Sequence, residues 1–442
     1  MLKRIIAVAA FTGTSHAISL ITISYVLRNL GEEITGMMGL VDSTILVMAV
    51  VISFGIQLSV NRNVATQTTW RSNYRLAQSA RIVVGLLIIG FGVISYLLQK
   101  DITKYIYLAA PLIALNGDYA LYGNGKPVHA AMLSFFRVAI PNMGILIASQ
   151  FVGTNVIYVY MVLAGTGIFI AGMLAAYFNK VKYFFPPRSD FHKVYLKYYK
   201  VGLFQIAAVL MITGMLTVAK GFYPVAIIGL VYGGLKYFEV FKGGLRILVQ
   251  AFFKELTIER VNMRIDKTGM IAGALVSIPF LIYPKTTLSI IYGDAYIGYE
   301  AIIIIFGAAM LVATLSTSAG TFALLKKYDN LNLFAYLTSL GLSILTMIVF
   351  SYTQQLELGI PLAILAGEVC LITILGTKLG GFKYFLDRFK FLLKLLPPIL
   401  IAIGLKFVLI NQLHALVISA AIFAVSVLYF FRKIIFEPVQ KN

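Results

Sequence analysis

The chain holds a single cysteine, Cys370, and four histidines in 442 residues. One cysteine excludes a disulfide framework, a cysteine-rich zinc site and an iron–sulfur cluster, and the scattered histidines form no pair at metal-ligand spacing. Charge is also scarce. Only 12% of residues are charged while 60% are hydrophobic, and the mean hydropathy is +0.89, a composition far from that of soluble domains. Missing too are a phosphate-cradling Gly-x-x-x-x-Gly-Lys loop, a Gly-x-Ser-x-Gly nucleophile elbow and any soluble nucleotide-binding segment. ATP-driven transport by this chain alone is thereby excluded. The expectation is a membrane protein with no metal, no cofactor and no nucleic-acid partner.

What is present is apolar and periodic. The first apolar stretch runs from Ile5 past Tyr25, too long for a signal-peptide core and without an obvious small-residue cleavage site, so it reads as a membrane span. A span needs about 20 mostly apolar residues. Runs of that kind predict fourteen, at 5–28, 34–60, 79–98, 103–123, 128–152, 155–178, 199–219, 223–253, 268–291, 297–325, 330–352, 356–380, 391–411 and 413–432.

Charge of one sign dominates, with 37 Lys and Arg against 17 Asp and Glu for a net +20. Positive residues concentrate in cytoplasmic loops, and here they fall in alternate segments. With the N-terminus inside, the cytoplasmic segments include Lys3 and Arg4, then Arg62, Arg71, Arg75 and Arg81, the loop 179–198, the stretch 378–394 and the C-terminus. They total +20 when Lys200 is counted with them, the outer segments total −1 and the spans +1. Both termini are therefore expected in the cytoplasm, and no outer loop exceeds roughly a dozen residues, since the spans leave no more between them. Membrane glycosyltransferases and polysaccharide polymerases usually carry a long outer loop bearing catalytic residues, so this pattern argues against an enzyme.

The loop 179–198, with Pro186 and Pro187 at its centre, falls between the sixth and seventh spans. Sliding the second part of the chain on the first by 190 residues superposes Gly31 on Gly221, Gly39 on Gly229, Leu40 on Leu230 and Val41 on Val231. The predicted fold is an all-α polytopic membrane protein of about fourteen transmembrane helices. Two six-helix lobes, 1–185 and 186–385, are related by a pseudo-two-fold axis along the membrane normal, and a C-terminal helix pair occupies 386–442. Substrate is expected between the lobes near the midplane.

Ionisable residues inside spans are costly and default to functional roles. The eighth span has four. At 100° per residue, Tyr232, Lys236, Glu239, Lys242, Arg246 and Gln250 share a face about 120° wide, and Lys236 lies about 18 Å down the helix. Lys236 and Glu239 can form an ion pair along one helix face. The same residues with Lys242 and Arg246 can form a +2 cationic ladder for a phosphate or diphosphate. In the first lobe, Thr12, Ser15, His16 and Ser19 recur at helical spacing, Asp42 lies in the second span, and Asp118 and Arg137 either compensate each other or serve substrate and ions. In the second lobe, Glu368 is a coupling-ion or proton site, or the structural partner of Lys406.

Three sequence blocks carry a family resemblance: YVLRNLG from Tyr25, TGMMGL from Thr35 and FGIQLSVNRNVA from Phe54, the last containing Arg62. They resemble the first two helices of bacterial polysaccharide flippases of the Wzx type, in the multidrug/oligosaccharidyl-lipid/polysaccharide exporter superfamily. LVYGGLK from Leu230 and IYGDAY from Ile291 resemble the equivalents in the second lobe. The resemblance implies a multi-pass protein of the bacterial inner membrane that moves an undecaprenyl-diphosphate-linked oligosaccharide, of O-antigen type, from the cytoplasmic to the periplasmic leaflet by alternating access. Its implied partners are membrane lipids, a polysaccharide polymerase and a chain-length regulator. Related peptidoglycan-precursor flippases place a basic residue and a glutamate three apart in helix eight, which Lys236 and Glu239 match with Lys in place of Arg. The expected substrate contacts are Lys236, Lys242, Arg246 and Glu239, with Arg62, His16 and Arg137. The expected ion-coupling groups are Glu368 and Asp118, for H+ or Na+. A multidrug/cation antiporter on the same scaffold is the competing reading.

Overall fold

The computed structural model describes residues 2–57, 70–181, 195–197, 199–251, 256 and 259–431. Among them there are helices and no strands. The chain divides into two compact units, Met1–Tyr232 and Gly233–Asn442. The lobe boundary expected at 185/186 falls outside the described residues.

Unit 1 begins with α1 (Leu2–Ser53), which joins the first two expected spans in one helix broken at Gly31 (φ 83°, ψ 177°), a conformation open to glycine alone. After it come α2 (Trp70–Gln99), a 3-10 helix Ile102–Ala109, and the short helices α3 (Ala110–Ala114) and α4 (Asp118–Gly123). The unit continues with α5 (Pro127–Val152), α6 (Val156–Asn179), α7 (Tyr199–Leu210), α8 (Met215–Ala219) and the first turns of α9 (Val225–Ala251). Unit 2 takes the rest of α9, then α10 (Glu259–Ser277) extended by a π-helical turn Ile278–Ile282, and α11 (Pro284–Tyr292). It ends with α12 (Glu300–Thr314), α13 (Ala319–Leu325), α14 (Asp329–Ser351), α15 (Leu356–Leu393), α16 (Leu396–Val408) and α17 (Gln412–Phe430).

With α1 taken as two and each broken helix taken as one, these elements supply fourteen spans among the described residues, in the predicted order. Among the described residues, nine helical stretches are long and apolar enough to cross a membrane by length and composition.

Two boundaries differ from expectation for one reason. The third span begins at Trp70 rather than 79, and the ninth at Glu259 rather than 268. Arginines and acidic residues push a hydropathy window outward, yet several of these charges are inside the fold. Arg81, assigned by its sign to a cytoplasmic segment, is fully buried. The fourth span stops at Ala114 and restarts at Asp118, leaving carbonyl oxygens without helical donors. Side chains from α2 supply them. Arg81 donates from Nη1 to Asn116 O at 2.6 Å and to Gln78 Oε1, while Gln78 Nε2 reaches Ala114 O and Leu115 O at 3.2 Å. Tyr119 donates its hydroxyl to Gln78 Oε1 at 2.8 Å. Trp70, the one tryptophan of the chain, packs edge-on against Tyr74 in the cluster that also buries Tyr119 and Ala120.

Unit 2 repeats the device with different residues. Its broken helix passes from Thr314 to Ala319, and Arg388 on α15 donates from Nε to Leu315 O at 2.7 Å. Arg388 also pairs with the fully buried Asp266 of α10, which accepts from Ser318 N at 2.9 Å and Ser318 Oγ at 2.7 Å. The guanidinium lies 3.2 Å from the centre of the Tyr384 ring, a cation–π contact. Arg388 reaches this position because α15 breaks at Gly381 (φ 59°) and continues to Leu393.

Helices α16 and α17 share a core with α10. Met270, Ala274 and Ile278 bury Ala402, Ala415, Phe423 and Val427, and the hydroxyl of Tyr283 donates to Ala402 O at 2.8 Å. In unit 1, α1 and the start of α9 touch at backbone distance, because a Cβ on Gly36 or Gly229 would run into the opposing backbone, and the Tyr232 ring covers Gly39. The glycines that superpose at the 190-residue offset include two of this contact set, Gly39 and Gly229. Between the seventh and eighth spans, Lys220 pairs with Asp101, and burial holds its ammonium below the ordinary lysine value.

Removing one member of a buried ion pair strands the other, at about 3–5 kcal/mol, whereas replacing both by apolar groups of similar size is often neutral. Arg388→Ala is therefore expected to lower thermal stability in detergent sharply, and Arg388→Met with Asp266→Leu to restore most of it. Equal loss in the single and double variants would contradict this account.

Candidate functional site

The chemistry of unit 2 gathers on α9. Its upper part is fixed by Gly233 and Gly234, whose missing side chains let the Tyr292 ring lie against the helix. Gly234 N–H donates to the Tyr292 hydroxyl at 2.6 Å. One turn later the charged face begins. Lys236 Nζ lies 3.5 Å from Glu239 Oε2, both side chains being about 15% exposed (16% and 15%). Lys242 Nζ lies 2.6 Å from Glu368 Oε1 on α15 and 5.6 Å from the centre of the Phe238 ring. Arg246, one turn further, is exposed.

The two carboxylates have unlike surroundings. Glu239 sits three residues from Lys236 on the same helix, so that ion pair lies within one element. Glu368 is only 2% exposed and comes from another helix, so its bond to Lys242 ties α15 to α9. Tyr336 of α14 lies within electrostatic reach of both Glu368 and Arg246. With Glu368 counted, the predicted +2 stripe becomes two acid–base pairs plus the guanidinium of Arg246. Glu368 takes Lys242 as its partner where the sequence offered Lys406, because α15 faces α9 at this level while Lys406 lies on α16.

In unit 1, Asp118 and Arg137 are paired at 2.7 Å. Asp118 opens α4, where a helix N-terminus favours negative charge. His16 is half-buried on the part of α1 that packs on α5, between the Phe11–Phe135 ring contact and the bond from Thr22 Oγ1 to Asn142 O at 3.3 Å. Ser15 and Ser19 of the same polar stretch are buried, and Ser15 Oγ donates to its own helix at Thr12 O. Arg62 lies outside the described residues.

One acidic site was not assigned from the sequence. Asp42 accepts the hydroxyl of Tyr160 at 2.6 Å on one carboxylate oxygen and that of Tyr232 on the other. The aspartate is visible in the sequence, but its partners are 118 and 190 residues away, with no local signal. A cleft of about 510 Å³ in unit 1, lined by Tyr105, Leu112, Tyr158, Met161 and Phe169 among others, is apolar and contains none of the predicted site residues.

No protein-family model and no curated protein matches the chain. Solved structures do match. An inward-facing multidrug resistance MATE family transporter of the MOP superfamily superposes with a TM-score of 0.58 at 13% identity, covering 88% of this chain and 98% of its own. The eukaryotic MATE transporter AtDTX14 gives 0.57 at 12%, covering 95% and 97%. The lipid II flippase MurJ, in an inward closed conformation, gives 0.67 at 14% identity, covering 97% of this chain and 100% of its own. At these identities the likeness shows the fold alone, that of a polytopic all-helical membrane protein.

The partner of Glu368 can be tested by truncation. Lys242→Ala strands a buried carboxylate and is expected to lower stability by about 3 kcal/mol, read as a reduced melting temperature in detergent. Lys406→Ala is expected to stay within about 0.5 kcal/mol of the parent. The reverse ranking would reassign the pair.

Proposed function

We propose that the protein is a flippase that carries a polyprenyl-diphosphate-linked oligosaccharide, of O-antigen or related surface-polysaccharide type, from the cytoplasmic to the periplasmic leaflet of a bacterial inner membrane. The observation that carries this reading is the charged face of α9. Lys236, Lys242 and Arg246 put three cations on a membrane helix, a placement that is expensive in lipid and therefore calls for an anionic partner or a watered path. A lipid diphosphate has the complementary charge and cannot cross hydrocarbon unaided. In this reading Lys242 and Arg246 hold the phosphates, Lys236 and Glu239 orient them, and the polyprenyl tail stays in lipid. His16, Arg137 and Arg62 contribute from the first lobe, and Glu368 and Asp118 serve ion coupling with H+ or Na+.

The fold shared with a lipid II flippase supports the choice of a lipid-linked cargo. So does the membrane potential, since moving one negative charge out of a cell with a negative interior is favoured by about 2.3 kcal/mol per 100 mV. The termini are cytoplasmic in this reading, and a polysaccharide polymerase and a chain-length regulator act on the delivered product.

The second reading, a multidrug/cation antiporter, draws on the MATE structures of the same fold and on Asp42, an acid held by two tyrosine hydroxyls. The two separate cleanly in proteoliposomes. Under the flippase reading, fluorescent polyprenyl-diphosphate oligosaccharide becomes accessible in the opposite leaflet, and Lys236→Ala or Arg246→Ala slows this at least tenfold with the protein still in the membrane. Full complementation of a flippase-null strain by Lys236→Ala would sink the assignment. Proton-driven ethidium efflux that needs Asp42, without lipid transfer, would establish the antiporter instead.

A further inference from the structure

The Lys242–Glu368 contact differs from the other ion pairs near it in three respects. It is short, at 2.6 Å; it joins two helices; and its members are unequally covered, with 27% of the lysine side chain exposed against 2% of the glutamate. One bond to a carboxylate uses one of the three donors of an ammonium group. Among the described residues the covered member pairs with Lys242, and Tyr336 on α14 lies within its electrostatic reach.

We propose that Glu368 is an internal counter-anion: it occupies the position on Lys242 that a phosphate group takes, so that a lipid diphosphate binds by displacing it. The inference rests on the flippase reading and adds to it how the site is held when empty. A lone ammonium on a membrane helix is costly, and a carboxylate supplied by the protein removes that cost until the cargo arrives. A diphosphate carries more negative charge than one carboxylate and presents several acceptor oxygens, so it outcompetes Glu368 for the exposed side of Lys242.

Displacement has a mechanical consequence. The bond between Lys242 and Glu368 ties α15 to α9, and arrival of the phosphate releases it. A buried carboxylate cannot stay unpaired without cost, so its release from Lys242 favours a shift of α15. Cargo binding therefore loosens the hold of α9 on α15. The Lys236–Glu239 pair lies within α9, so breaking that pair does not itself release α15. It serves as the internal control.

The test is a calorimetric titration of the purified full chain in detergent with farnesyl diphosphate. Glu368→Gln is expected to bind the probe about tenfold more tightly than the parent, equivalent to about 1.4 kcal/mol. Glu239→Gln is expected to change affinity less than threefold. Lys242→Gln weakens binding, and adding Glu368→Gln to it brings no further gain. Glu368→Met, an apolar replacement of similar size suited to a covered site, gives the same reading if the glutamine variant is not monodisperse. Equal or weaker binding by both Glu368 variants, or an equal gain from Glu239→Gln, overturns the inference while leaving the flippase reading intact. Absence of binding by every form overturns the flippase reading and the inference with it.

Discussion

A backbone carbonyl inside a bilayer has no water to turn to, so each interruption of a membrane helix must be closed by donors from within the protein. Much of this structure follows from that requirement. The fourth span breaks between Ala114 and Asp118, and the tenth between Thr314 and Ala319. At both breaks an arginine supplies the missing donors, Arg81 in unit 1 and Arg388 in unit 2. A guanidinium suits the task, since its five N–H groups form a rigid fork that serves several acceptors at once. The charge brought in has to be settled too. Unit 2 does so with the buried Asp266, and in unit 1 the guanidinium lies 5.5 Å from the centre of the Tyr119 ring, over its electron-rich face. The two units meet one physical problem with the same residue type, an arginine, and settle its charge with different partners.

The same requirement shows why hydropathy located the helices and missed some of their ends. Long apolar runs such as 156–179 or 329–351 are legible because every residue contributes to one average. Glu259 to Lys267 reads as a loop because its charges dominate a local window, yet Asp266 is satisfied by Arg388, which lies 122 residues away. Arg81 is misread likewise: its sign fits a cytoplasmic loop, while its side chain belongs to a helix break 35 residues on. Of the site, the face of α9 was legible, since helical periodicity alone gathers Lys236, Glu239, Lys242 and Arg246. Which carboxylate closes on which lysine was not, because Glu368 and Lys406 are equally plausible partners until α15 is packed against α9. Asp42 and its two tyrosines lacked even a periodic signal.

Of the three cations on the charged face of α9, two are held in ion pairs. A helix that carried three unpaired cations through a membrane would be hard to insert. Pairing Lys236 with a neighbour on its own helix and Lys242 with a residue of another helix meets that demand. Gly233 and Gly234 matter for the same reason, since Tyr292 anchors the helix just before the charged turn begins and so sets the level at which Lys242 meets Glu368.

The scarcity of two residue types leaves each unit with its own native reporter. Trp70, packed on Tyr74 beside the broken helix of unit 1, is the chain's one tryptophan. Cys370, half-buried two residues beyond Glu368 in unit 2, is its one thiol. An acceptor dye attached at Cys370 turns the unaltered chain into a donor–acceptor pair, one label per unit. Energy transfer between the two labels can then be read without introducing a single substitution.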